Sequence, residues 1–302
     1  MTAPDEQYDG PLPNFLVCGA AKAGTSSLYH NLQKHPNVFM AEGKEPNFFN
    51  RHYDKGLHWY SSFYADHTDE AAIGEASVST MVDAHVTAER IEKTVPEAKL
   101  IFVLRNPIER AYSEFWHNVR MERLRDRTPT PDLFDRVVRD QVDVSAFWPP
   151  GTTMGERLVE KGMYATQISH FEAHFSTEQM QFIPFSKLKN STGDVVDSIL
   201  DFIGVDSSYS DVALEKRNVG KYPVLPQLNK IVHAGWTPLR KALPDWLVQN
   251  TVGIRHVVHN MLYSDSSRPA MKEETRGYLQ NVYQTEIQQL EKRLQWDLSH
   301  WQ

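Results

Sequence analysis

Cys18 is the single cysteine in a chain of 302 residues. One thiol makes no internal disulfide, which excludes the disulfide-stapled secreted folds and fits a reducing, cytoplasmic setting. Long apolar runs are missing too. No stretch reaches the roughly 18 apolar residues of a membrane span. The opening MTAPDEQYDG carries no signal-peptide pattern. Positive charge is not in excess: the net charge is −7. That argues against nucleic acid or an acidic polymer as the main partner and leaves room for a local basic pocket. Internal repeats and low-complexity segments are absent. What remains is a globular composition, 40% hydrophobic and 24% charged, long enough to bury one large core.

The most informative stretch is FLVCGAAKAGTSSL, residues 15 to 28. Phe15 to Cys18 form a short apolar run that reads as a buried parallel strand. Gly19 to Gly24 is a glycine-bounded loop, and Thr25, Ser26 and Ser27 open a helical pattern that stops near Pro36. Strand, small-residue loop and helix start together direct backbone N–H groups and the positive end of a helix dipole at one spot, and a phosphate suits it. The loop resembles a Walker A motif and departs from it. GxxxxGK[ST] places lysine directly after the second glycine, where this chain has Thr25, and its lysine, Lys22, lies inside the loop turn. The clearest strand, Lys99 to Leu104, ends in Arg105 and not in a magnesium-holding carboxylate.

Along the rest of the chain, residues 1 to 13 read as a flexible tail. A short strand at Val38 to Met40 leads to Gly43-Lys44-Glu45-Pro46-Asn47-Phe48-Phe49. Pro46 pushes Glu45 toward an extended backbone at a strand exit, where ligands bind in open α/β sheets. Asp54 to His67 is aromatic-rich and suits core packing better than a pocket wall. A strand at Ala71 to Gly74 delivers Glu75, Ser77 and Ser79 to the same edge. Val82 to Thr94 has helical spacing. After Arg105, Asn106 suits a helix cap and Pro107 a first turn. Ser113, about two turns on, is near enough in sequence to share one anion with Arg105. The stretch 117 to 157 reads as a helical insertion on the substrate side. Gly162 to Phe175 and Asp194 to Ile203 read as helices, Gln179 to Phe185 as a strand, and Glu273 to Trp296 as a closing amphipathic helix. The basic loop Glu215 to Tyr222 offers Lys216, Arg217 and Lys221 as a cover for an anion. The alternation predicts one α/β domain over 14–302, a mostly parallel central sheet flanked by helices.

Four stretches together resemble the sulfotransferases that use 3′-phosphoadenosine 5′-phosphosulfate (PAPS), nearer their carbohydrate (heparan sulfate-type) branch than the phenol and steroid enzymes. Lys22 to Ser27 is similar to the loop for the 5′-phosphosulfate. Lys44 to Phe49 is similar to the lysine-glutamate-aromatic motif that supplies the base. Arg105 to Ser113 is similar to the 3′-phosphate motif. Lys161 to Tyr164, with the later loop at Arg217 to Lys221, matches more loosely. The heparan-type enzymes carry a GEK-threonine-proline-like run after the third strand; Gly74 to Ser79 here lacks its lysine and proline.

The resemblance implies a P-loop-type three-layer fold and transfer of a sulfuryl group to a hydroxyl or amine. Glu45 would be the base, with Lys22 stabilising charge beside the 5′-phosphate. Ala23, Gly24, Thr25, Ser26 and Ser27 would cradle that phosphate. Arg105 and Ser113 would hold the 3′-phosphate, and Arg217 and Lys221 would close over it. PAP would be the product, and no metal is required. The acceptor would be a small molecule, a glycan or a glycolipid, with no nucleic acid partner. His52 and His85 are the next candidates for the base. Two other readings stay open: a P-loop small-molecule kinase, and a PAP- or nucleotide-binding module without turnover.

Overall fold

The computed structural model describes residues 8, 10–120, 130–142, 153–207, 222–223, 263–264 and 269–301. Five strands form its main sheet: β1 Phe15–Gly19, β2 Val38–Met40, β3 Ala72–Glu75, β4 Lys99–Leu104 and β5 Met180–Pro184. Their order is β2-β3-β1-β4-β5, and every neighbouring pair is parallel. The sequence accounts for the parallel pairing. The runs in β1 and β4 are apolar on both faces, which suits only strands covered on both sides, and Phe15 to Cys18 and Leu100 to Leu104 are all buried. Phe15 pairs with Gly74 of β3 in register, and a side chain on Gly74 would collide with the Phe15 ring.

The helices are α1 Thr25–Leu32, α2 Gly56–Ser61, α3 Ser79–Val82, α4 Ala84–Thr94, α5 Pro107–Arg120, α6 Pro131–Val138, α7 Met154–Glu160, α8 Tyr164–Glu172, α9 Phe185–Asn190, α10 Thr192–Ile203 and α11 Glu273–Leu294. Asn106 caps α5 as its sequence predicts: its Oδ1 accepts from the N–H groups of Ile108 at 2.9 Å and Glu109 at 3.3 Å. Gly204 ends α10 with a left-handed backbone at φ 81°. The helix expected over Val82 to Thr94 is interrupted at Asp83, whose carboxylate accepts from Asn50. The aromatic segment at 54–67 folds into α2 and short helical turns and packs inward through Tyr60 and Tyr64.

The chain divides into two compact units. The first comprises Met1–Ala111, Val159–Asn218 and Tyr278–Gln302 and carries the five-stranded sheet. Phe102 of β4 lies between Phe171 of α8 and Phe182 of β5, ring centroids 5.0 and 5.2 Å away. Leu279, Tyr283, Ile287 and Leu290 are the buried stripe of α11. The second unit comprises Tyr112–Leu158 and Val219–Gly277, so α6 of the expected insertion belongs to it. There Thr130 caps α6, Phe134 packs on Tyr112 and Phe115, and Asp135 accepts from Arg139 and Thr275. A two-residue antiparallel pair, Tyr222–Pro223 with Tyr263–Ser264, completes its described part.

Candidate active site

Because all five strands are parallel, the loops that follow them leave the sheet at one edge, the carboxyl edge at which open α/β sheets bind ligands. The loop after β1 makes a tight turn, with Ala20 N–H bonded to Val103 of β4 and Ala23 N–H to the Ala20 carbonyl. Gly24 precedes α1 at φ 86°, and its carbonyl accepts from Ser27 and Leu28. A side chain at Gly24 would need that left-handed backbone, and its Cβ would stand 3.1 Å from Leu188 and 3.2 Å from Phe185. An α-helix leaves its first N–H groups without intrahelical acceptors, and its positive dipole end lies there. In this chain those groups belong to the first turn, at Thr25 and Ser26. Ala23 and Thr25 are buried; Lys22, Ser26 and Ser27 are half-buried.

Arg105, the first residue after β4, reaches back to this loop. Its Nη1 donates to the Lys22 carbonyl at 2.9 Å, and its guanidinium lies 5.0 Å over the ring of Phe185, the first residue after β5. The loops after β1 and β4 and the start of α9 are thus joined through one side chain. The buried phenol of Tyr164 is pushed upward by its burial, and the positive charges of Arg110 and Arg105 pull the other way.

The loop after β2 is pinned to the residues after β3. Ala76 N–H donates to the Lys44 carbonyl at 3.2 Å, Asn47 N–H to Ser77 Oγ at 3.2 Å, and Asn47 Nδ2 to the Glu45 carbonyl at 2.9 Å. Glu45 keeps a third of its side chain exposed and pairs with Lys44 at 2.6 Å. Behind it, Phe48 stacks on Tyr60 at 4.1 Å and 6°. Of the five non-glycine residues with left-handed backbones among the described residues, Lys22, Lys44 and Asn47 lie in these two loops. Such conformations disfavour a lysine and cluster where function constrains the chain.

The candidate residues therefore fall as follows. Lys22, Ala23, Gly24, Glu45 and Arg105 lie on loops at one sheet edge in the first unit, and Thr25, Ser26 and Ser27 open α1 at the same edge. Ser113 lies on α5 in the second unit, 8% exposed. Arg217 and Lys221 lie outside the described residues. His52 stands beside Trp59, and His85 is exposed on α4 beside His170. The sequence places Phe185 at the end of a strand, whereas it opens α9, and it gives Tyr60 and Tyr64 no partner. Nothing marks a lone phenylalanine after a strand as the platform for an arginine.

β3, the other neighbour of β1, ends in a carboxylate, Glu75. It is 1% exposed, and its Oε2 accepts from the hydroxyls of Tyr60 at 2.9 Å and Tyr64 at 3.0 Å. Burial pushes its carboxyl up to about 7 against the pull of three hydroxyl donors, Ser77, Tyr60 and Tyr64.

Known proteins are similar to this chain in sequence and in fold. The human heparan sulfate glucosamine 3-O-sulfotransferase 3B1 is 30% identical over 200 residues, 66% of this chain and 48% of that protein. The mouse bifunctional heparan sulfate N-deacetylase/N-sulfotransferase 4 is 31% identical over 209 residues, 66% of this chain and 23% of that protein. The membrane-associated sulfotransferase kil1 of Dictyostelium discoideum is 34% identical over 136 residues, 44% of this chain and 29% of that protein. The chain thus spans about half the length, or less, of these curated relatives. The crystal structure of a sulfotransferase from Alicyclobacillus acidocaldarius superposes with a TM-score of 0.66, covering 96% of this chain and 99% of that one at 23% identity, and so shares the fold. A family model described as the sulfotransferase domain matches residues 12–231, a span that holds all five parallel strands and the loops at their carboxyl edge, and the chain belongs to the sulfotransferase domain family.

Proposed function

We propose that this domain transfers a sulfuryl group from PAPS to a hydroxyl or amine of a sugar-bearing acceptor, a glycan or glycolipid, and releases PAP. The observation that carries the reading is the exit of the two strained loops, one an anion cradle and one bearing a half-buried carboxylate, from the same edge of a parallel sheet.

PAPS supplies the activated sulfuryl group; the chain supplies position and charge. Gly24 keeps the turn tight, because a side chain there would press on Leu188 and Phe185, and a tight backbone turn ahead of a helix start suits a phosphate held by N–H groups. Gly24, Thr25, Ser26 and Ser27 take the 5′-phosphate through N–H and hydroxyl groups, and Lys22 offsets charge growing on the bridging oxygen. Arg105 takes the 3′-phosphate, and its bond to the Lys22 carbonyl couples that contact to the shape of the loop. Ser113 is assigned to the same phosphate, and Arg217 and Lys221 to its cover, on the sequence resemblance alone. Glu45 takes the proton from the acceptor. Lys44 holds the Glu45 carboxylate until the acceptor arrives. As in phosphoryl transfer, orientation and charge stabilisation carry the rate. Trp59 and Phe63, half-buried with ring centroids 4.8 Å apart, offer apolar faces to a sugar ring.

Replacement of Glu45 by Gln tests the base. Turnover of PAPS with a glucosamine oligosaccharide should fall ~10²–10⁴-fold while PAP affinity stays. Full activity in Glu45→Gln would remove Glu45 from the reaction and turn attention to His52 and His85.

A further inference from the structure

β3 delivers an acid for which the proposed reaction has no use. Glu75 is buried, yet two chains of contacts lead from it to the loop that bears Glu45. On one side the Ser77 hydroxyl donates to the Glu75 carboxylate, and the same hydroxyl accepts from the backbone N–H of Asn47 at 3.2 Å. On the other side Tyr60 donates to Glu75 at 2.9 Å and stacks on Phe48 at 4.1 Å. Tyr64 adds a third donor at 3.0 Å. Between the two chains, Ala76 N–H holds the Lys44 carbonyl. Residues 44 and 47 both keep left-handed backbones, so the loop holds its shape only while its anchors hold.

The donor count points to one protonation state. An ionised carboxylate only accepts, and three hydroxyl donors meet it here. Adding a proton puts a fourth hydroxyl among three, and one of them must turn away. The groups facing Glu75 are Tyr60 of α2, Tyr64 of the following turn, Ser77, Glu45 and Cys18 of β1. Burial and the charge of Glu75 push Tyr60, Tyr64 and Cys18 upward, so those three keep their protons through neutral pH.

We propose that Glu75 is a positioning residue for the transfer: its ionised carboxylate orients Ser77 and Tyr60, and through them fixes the loop 44–49 that presents Glu45. The inference rests on the reading of Glu45 as the base.

The test compares the wild-type chain with Glu75→Gln, Tyr60→Phe and Glu45→Gln between about pH 5 and 9. Three quantities are read: sulfuryl transfer from labelled PAPS to a glucosamine oligosaccharide, PAP affinity by calorimetry, and hydrogen exchange at the Asn47 amide. In the wild type, kcat and Asn47 protection should rise together through a midpoint near 7 while PAP affinity stays level. Glu75→Gln should lose the rise and ~10–100-fold in kcat, with PAP affinity within about twofold of wild type. Tyr60→Phe keeps the ring against Phe48 and removes one donor that lowers the acid's proton affinity, so its midpoint should move to higher pH. Wild-type kcat and an unchanged pH rise in Glu75→Gln would make Glu75 a satisfied core carboxylate and overturn the proposal. Should Glu75→Gln fail to fold, an unmoved midpoint in Tyr60→Phe overturns it equally. Where the oligosaccharide is not sulfated, the pH dependence of Asn47 protection decides alone. An active Glu45→Gln breaks the base reading whatever Glu75 does, and an inactive Glu45→Gln beside a fully active Glu75→Gln leaves the base in place and removes only the positioning role.

Discussion

Glu75 is a buried carboxyl whose burial has a cost with a direction. Its carboxyl is raised from 4.5 to about 7 in the folded protein. Between those values the folded state holds a proton that the unfolded chain has released. Stability from this group is therefore greatest below the unfolded value and is lost as pH rises through about 7, by about 3 kcal/mol in all. Unfolding of the wild type and of Glu75→Gln by denaturant should give a stability difference that moves by roughly this amount in favour of the variant from pH 4 to pH 8. A constant difference would contradict the burial of an ionising group. The sequence placed Glu75 and Ser77 at the right edge, because a strand before them predicts it. It could not show that tyrosines 11 and 15 residues earlier would meet the acid, since that contact depends on how α2 folds back over β3. Glutamate is also seldom fully buried, so composition points the wrong way at this one position.

The elements around the site were unevenly legible. β1, β4 and α1 announce themselves through unbroken apolar runs and a helix start, and α5 through Asn106 and Pro107. α9 did not: a six-residue helix following a strand directly has too few turns for periodicity to show. The same holds for the turns at 48–64, where closely spaced aromatic residues blur any period. α9 matters because Phe185 and Leu188 stand against Gly24 in the loop after β1. Gly24→Ala must hold φ 86° with a Cβ at 3.1 Å from Leu188; it should cost about 1–2 kcal/mol in denaturant unfolding and weaken PAP binding as well. Equal stability and equal PAP affinity in that variant would show that the loop does not need its left-handed turn. Asn106→Ala removes a cap that satisfies two N–H groups and should cost about 1 kcal/mol, read as a lower melting midpoint.

For the whole molecule, the net charge of −7 bears on the acceptor and not on the fold. Two of the matched relatives are named for heparan sulfate, and the run Gly74 to Ser79 lacks the lysine that the heparan-type pattern carries. Like charges repel at long range and salt screens them. Transfer to a sulfated polymer should therefore quicken as ionic strength rises, and transfer to an uncharged glycan should stay flat. A polymer reaction that slows with salt would instead reveal a local basic track. No helix among the described residues is long and apolar enough to cross a membrane. The parallel pairing follows from alternating strands and helices, so the architecture was readable in outline, while the strand order was not. Nor was the division into two units, because Tyr112–Leu158 and Val219–Gly277 join across the chain and carry no shared motif.

The central claim is a cradle built for a nucleotide with a 3′-phosphate. The measurement that tests it most directly is calorimetric titration of the full chain with 3′,5′-adenosine bisphosphate (PAP), beside ATP with magnesium, repeated on Arg105→Ala. The account predicts tight PAP binding, lost by roughly 10-fold or more when the arginine is removed, and weak ATP binding indifferent to magnesium. Tight, magnesium-dependent ATP binding with no preference for PAP would contradict it.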